Sequence, residues 1–327
     1  MKIRLVSRDN GAGLARDLRL AAGELEAAGH RVQAFAMGNE KGVVAMREAL
    51  LRVRRACVDV QLSFERVRPR LLPLAARNVL VPNPEWFDGQ AARLLPAFDA
   101  VLCKTRHAVP AFAALGADAR FVGFTSEDRM DAAVPRRRAF LHVAGRSSAK
   151  GTRAVVEAWR RHPEWPRLTV VAHAQALDAS APNIAHHARR IDDAQLRMLQ
   201  NAHRFHVQPS EVEGFGHVLA EAMSTGAVVL ATAGAPMDEL VTPARGVMVP
   251  TAGARREGLA TVHRIDADGV EDAVLRALAL DDEGADALGC AARAWFVAND
   301  ARFRACFPGA VTGEDAGEVT GGGAASG

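Results

Sequence analysis

A strand, a turn, a helix and a second strand open this chain, and that order restricts it to a small set of folds. Residues 2–7 read as a buried strand, Asn10-Gly11-Ala12-Gly13 as a turn, and residues 14–28 as a helix with apolar positions at helical spacing, stopped at Gly29. Residues 32–36 read as the next strand. A β-α-β opening predicts a parallel sheet, because the crossover helix returns the chain to the end from which it started. Strands follow at 58–62, 78–81, 100–103 and 120–122, with helices at 43–56 and 107–115. Beyond a linker at Pro135-Arg136-Arg137-Arg138 the alternation restarts. Strands are expected at 140–144, 168–172, 204–208, 228–231 and 246–249. Helices are expected at 151–161, 193–202 with Asp192 as cap, 216–223, 236–240, 268–279 and 286–299.

The 327 residues suit two domains, and an apolar fraction of 49% is ample for two cores. The expected class is α/β, with two Rossmann-like doubly wound parallel-sheet domains facing a cleft, over residues 1–136 and 137–283. Residues 309–327 are rich in Gly, Ala and Glu, lack an apolar face, and are expected to be disordered. No apolar run approaches the roughly 20 residues of a membrane span. Met-Lys-Ile-Arg-Leu-Val enters a strand directly, without a signal-peptide pattern. The four cysteines form no C-x-x-C pair, which fits reduced thiols and a cytoplasmic setting. A net charge of +3 does not suggest a nucleic-acid partner. Residues 1–131 nevertheless hold 20 Lys or Arg against 15 Asp or Glu. That excess is either an ordinary solvated face or a surface for a phosphate-bearing or lipid-linked acceptor, with peripheral contact to the inner face of a membrane.

Residues 209–226 read Pro-Ser-Glu-Val-Glu-Gly-Phe-Gly-His-Val-Leu-Ala-Glu-Ala-Met-Ser-Thr-Gly. Gly214 and Gly216 open an alanine-rich helix. Bare amides entering a helix, with its dipole behind them, favour a phosphate. Glu213 lies before that helix and Glu221 about two turns inside it, so a carboxylate flanks each side of the phosphate position. A nucleotide sugar has the matching order of ribose, diphosphate and hexose.

The stretch resembles the donor site of retaining glycosyltransferases of the GT-B fold, family 4 type, with its motif P-S-x-x-E-G-F-G-x-x-x-x-E-A-M-x-x-G. Pro209, Ser210, Glu213, Gly214, Phe215, Gly216, Glu221, Ala222, Met223 and Gly226 match every fixed letter. Upstream, Gly145-Arg146-Ser147-Ser148-Ala149-Lys150-Gly151 is similar to the family's G-R-x-x-x-x-K-G segment, one residue shorter between Arg and Lys. The resemblance covers residues 140–250 best.

The resemblance implies a nucleotide-diphosphate sugar donor held by Gly214, Phe215 and Gly216, with Glu221 on the ribose and Glu213 beside the transferred sugar. Lys150 and Arg146 would neutralise the leaving diphosphate. It also implies no cofactor and no essential metal, and a last helix, residues 284–308, crossing back to the first domain. Gly11 and Gly13 are either a plain strand-helix turn or a loop near the donor, with Arg8, Asp9 and Asn10 able to reach an acceptor. Arg16 stands where a dinucleotide fingerprint has its last glycine, which argues against a nicotinamide site. Asn83-Pro84-Glu85-Trp86-Phe87 is either an acceptor-side aromatic shelf beside a carboxylate or a proline turn with a core Trp86. His107 is a further acceptor-side candidate. His186-His187 and His203-x-x-His206 lack carboxylates or cysteines at metal-ligand spacing.

Rival expectations are an epimerase or hydrolase of the nucleotide sugar, and a non-catalytic partner in a glycosylation complex.

Overall fold

The computed structural model describes residues 1–7, 13–36, 41–53, 57–173 and 177–314. The first sheet comprises β1 (Lys2–Ser7), β2 (Arg31–Ala36), β3 (Val58–Phe64), β4 (Ala75–Val81), β5 (Ala100–Cys103) and β6 (Ala119–Phe121), in the order β2-β1-β3-β4-β5-β6. The second comprises β7 (Arg137–Gly145), β8 (Leu168–Ala172), β9 (Ile184–His187), β10 (His203–Gln208), β11 (Val228–Thr232) and β12 (Val247–Val249), in the order β12-β11-β10-β7-β8-β9. Every pairing within the two sheets is parallel. A hairpin of β13 (Ala254–Glu257) and β14 (Ala260–His263) is antiparallel.

The helices are α1 (Gly13–Ala27), α2 (Lys41–Val53), α3 (Gly89–Ala92), α4 (Ala108–Ala113), α5 (Thr152–Arg161), α6 (Asp193–Ala202), α7 (His217–Ser224), α8 (Met237–Leu240), α9 (Ala267–Leu278) and α10 (Asp282–Thr312). Asp192 caps α6, its carboxylate accepting the Gln195 amide at 2.7 Å. None of the helices described is long and apolar enough to cross a membrane. The architecture is the expected α/β pair of parallel sheets.

Strands such as β8 and β11 are buried at every residue, which is why they read as apolar runs with one threonine each. In the second sheet the winding reverses between β7 and β10. The loops leaving these two strands therefore diverge and open a crevice at their carboxyl ends. Residues 145–151 and 209–216, the two motif segments, are those loops.

Helix α10 joins the halves. Phe296, Phe303, Phe307 and Val311 pack in one cluster with Ile3, Leu5 and Leu62 of the first sheet and with Phe215, Leu219 and Met223 of the second domain. Asn299 Nδ2 donates to the Phe124 carbonyl at 2.7 Å, and Arg77 Nε to that of Val311 at 3.1 Å. Residues 309–312, expected to belong to a disordered tail, are helical instead. α10 runs on to Thr312 because Val311 is wholly buried and its carbonyl is held by Arg77. Residues 315–327 lie outside the described residues.

Candidate active site

The two motif loops are fastened to each other. The Glu211 amide donates to the Ala149 carbonyl at 2.9 Å, which brings Lys150 against Glu213. Lys150 Nζ and Glu213 Oε1 form an ion pair, with side chains 17% and 11% exposed. Beneath the loop, buried His142 on β7 donates through Nδ1 to the Val207 carbonyl at 2.7 Å, and its Nε2 meets Thr152 Oγ1 at 2.9 Å. Burial lowers its pKa to about 4, so it ties strand, strand and helix together as a neutral ring.

Gly216 caps α7 in the left-handed region at φ 103°, a conformation that a side chain would strain. None of the amides from Gly214 to Val218 donates to another described residue, which leaves them as orphan donors at a positive helix end. Gly214 is needed for a different reason. A Cβ there would lie 2.5 Å from Asn83 Oδ1 and 2.9 Å from Glu85 Oε1. The first domain thus closes directly over this glycine. The Phe215 ring is 4% exposed and stands edge-on to Phe124 at 5.6 Å, so only its backbone can serve a donor.

Glu221 is buried, and both of its oxygens are occupied. Oε2 accepts Gln200 Nε2 at 2.8 Å; Oε1 accepts Ser126 Oγ at 3.3 Å and pairs with Arg16 of α1. The residue that replaces a fingerprint glycine therefore reaches across the cleft to the acid expected to hold a ribose. A polar chain continues from there. Ser126 Oγ lies 3.0 Å from His217 Nδ1, His217 Nε2 2.7 Å from Asp17 Oδ1, and Lys104 Nζ 2.6 Å from Asp17 Oδ2. Burial works to raise the Asp17 pKa, but Lys104 and His217 outweigh it and hold the carboxylate below its usual range. Lys104 also donates to Asn83 Oδ1 at 3.0 Å, and Asn83 Nδ2 to Glu65 Oε1 at 2.7 Å.

Glu85 faces this centre from the first domain. Burial pushes its pKa up to about 7, and neighbouring Glu213 adds to the rise. Its Oε2 is buried with no hydrogen-bond partner among the described residues. The turn of Pro84–Trp86 is formed, but Trp86 is 66% exposed and is no core residue. Phe87 takes the buried place and packs edge-on to Phe112 at 4.9 Å.

The remaining candidates are scattered. Arg146 is exposed and bonds to no described residue. The His107 amide donates to Glu239 Oε2 at 3.1 Å, while the Arg106 amide donates to Oε1 at 2.8 Å, so a second-domain acid caps α4. Gly13 begins α1; Arg8, Asp9, Asn10 and Gly11 lie outside the described residues.

Sequence reasoning missed Arg16, Asp17, Lys104, Gln200 and Glu239, because their partners are remote in the chain. It also missed the β13–β14 hairpin. That hairpin spans the cleft: the His263 amide donates to the Glu211 carbonyl at 2.8 Å, and Leu259 packs into the first-domain cluster around Phe87. The expectation that the chain has no Asp-x-Asp triplet is wrong, since Asp266-Ala267-Asp268 is one. Asp266 caps α9 through the Gly269 amide at 3.1 Å, and Asp268 pairs with Arg161 at 2.8 Å. No cluster of His, Cys, Asp and Glu suited to a metal ion occurs among the described residues. His203 and His206 bond to the carbonyls of Leu199 and Gln200 at 2.7 and 2.9 Å.

Residues 137–279 match the family model "Glycosyl transferases group 1". No curated protein matches the chain in sequence. Among solved structures, sucrose-phosphate synthase from Thermosynechococcus elongatus is 17% identical, with a TM-score of 0.70 over 91% of this chain and 94% of that one. WaaG, a glycosyltransferase involved in lipopolysaccharide biosynthesis, is 15% identical, with a TM-score of 0.69 over 96% and 100%. Anabaena HepE, solved in complex with UDP-glucose, is 13% identical, with a TM-score of 0.67 over 93% and 98%. The chain thus has the two-sheet fold of the GT-B glycosyltransferases, and residues 137–279 of it are similar to the group 1 glycosyl transferases.

Proposed function

We propose that this protein transfers a sugar from a nucleotide-diphosphate sugar to an acceptor hydroxyl, with retention at the anomeric carbon. The observation that carries this reading is the Lys150–Glu213 pair at the mouth of α7, beside amides that bond to no described residue. The diphosphate docks on the amides of Gly214–Val218, with Lys150 and Arg146 supplying positive charge. Glu213 exchanges its contact with Lys150 for hydroxyls of the transferred sugar. Glu221 holds the ribose, sharing its carboxylate with Arg16 or displacing it. The acceptor hydroxyl approaches from the Asn83–Trp86 turn. Its oxygen bonds to the anomeric carbon as the bond from that carbon to phosphate oxygen breaks. The leaving nucleoside diphosphate keeps the electron pair and takes the acceptor proton on the same face. Two cations and a helix end meet the charge of the leaving group, so the reading invokes no metal or cofactor.

That HepE is solved with UDP-glucose supports a uridine donor as the first to try. Candidate acceptors are saccharides, lipid-linked saccharides, proteins and small molecules that carry a free hydroxyl. One observation favours a second reading, a non-catalytic nucleotide-sugar-binding partner: Glu221 is already fully ligated within the protein. Thermal-shift titration with UDP-, GDP-, ADP- and dTDP-sugars, followed by NMR of the product formed with acceptor, separates the two. Transfer with retained configuration supports the first reading. Tight binding without transfer or hydrolysis supports the second, and no binding removes both.

A further inference from the structure

Helix α2 exposes an apolar stripe far larger than a solvated helix needs. Met46, Leu50 and Val53, at i, i+4 and i+7, are 64%, 48% and 82% exposed. The helix is already anchored by its other face, where Val44 and Leu51 pack with Val6 and Leu71. The outward stripe therefore contributes nothing to the described core. Its borders are basic: exposed Arg47 lies along one side and exposed Arg52 along the other. The only acid of α2, Glu48, points inward and lies 3.9 Å from Arg68. Beside the helix, Arg52, Val53, Arg70, Pro73 and Leu74 line an open groove of about 750 Å³, which adds a third exposed arginine to the same face.

An apolar stripe edged by arginines, with no outward acid, is the pattern of a helix lying in a lipid headgroup layer. We propose that the outer face of α2 docks on an anionic bilayer surface, with Met46, Leu50 and Val53 entering the acyl boundary and Arg52 and Arg70 meeting lipid phosphates. Charge complementarity selects this occupant. A second copy of the chain would set arginine against arginine across the stripe. The surface belongs to the first domain, and none of the residues that form it belongs to the two motif loops.

Co-sedimentation of the full chain with vesicles tests this without any donor, so its outcome is independent of the transfer reading. The wild type should bind vesicles of phosphatidylcholine with phosphatidylglycerol and not vesicles of phosphatidylcholine alone, and high salt should weaken the binding. M46Q/L50Q/V53Q should abolish binding while the far-UV spectrum and unfolding midpoint stay at wild-type values. R52Q/R70Q should lower the partition coefficient about 30-fold. Equal binding to both vesicle types, no binding to either, or undiminished binding by the triple variant would overturn the proposal. So would a dimer in sedimentation velocity that the triple variant dissolves.

Discussion

Replacing Arg16 with Ala probes the most unexpected contact in the cleft. Arg16 is 23% exposed and Glu221 4%, so the pair sits between a surface bridge and a buried one. Breaking a fully buried pair costs about 3–5 kcal/mol, and an exposed one about 0–1 kcal/mol. Glu221 keeps Gln200 and Ser126 after the change, and Arg129 adds favourable charge nearby. A loss of about 1–2 kcal/mol follows. For a chain of 327 residues the unfolding midpoint should fall by roughly 1.5–3 °C in calorimetry without ligand. If a donor ribose takes over the place of Arg16 on Glu221, the same energy returns on binding. Donor affinity, read by isothermal titration, should then rise about 5- to 30-fold. An R16A variant with unchanged midpoint and weakened donor binding would refute this account, because Arg16 would then be a donor ligand rather than a stand-in for the ribose.

Glu85 gives a pH signature. Its folded pKa of about 7 exceeds the ordinary 4.5, so the native state holds a proton that the unfolded chain releases. Stability should therefore fall as pH rises from about 4.5 to 7, by up to about 3 kcal/mol, and E85Q should flatten that slope in urea titrations. Phe303→Ala should cost about 3–5 kcal/mol. The cluster it belongs to spans both sheets. Calorimetry should accordingly show one shifted transition for the whole molecule rather than two. Glu239→Ala removes the acceptor of two amides at the start of α4 and should cost about 1–2 kcal/mol in chemical unfolding.

The parts of the fold that were legible in the sequence are those set by local pattern. Residues 228–231 are a continuous apolar run, residues 168–172 one broken only by Thr169, and Asp192 sits directly before a helical period. The strand-to-helix loop at 209–216 was legible for the same reason, since Gly214, Gly216 and Gly226 punctuate a short contiguous segment. What stayed hidden depends on distant partners. Nothing local marks Arg16 as the partner of a residue 205 positions away, or Glu239 as the cap of a helix 133 positions upstream. The β13–β14 hairpin escaped because Ala254–Glu257 is exposed throughout and shows no alternation. Residue type alone makes Trp86 a core candidate, whereas the short turn leaves it 66% exposed and Phe87 fills the site.

The central claim is that a leaving diphosphate docks on the amide end of α7 between Lys150 and Glu213. The most direct measurement is the transfer rate of K150A and of E213Q with the best-binding nucleotide sugar, each variant first shown to be folded. The account predicts a loss of at least about 100-fold in kcat for both. Turnover near the wild-type rate by either variant would contradict it.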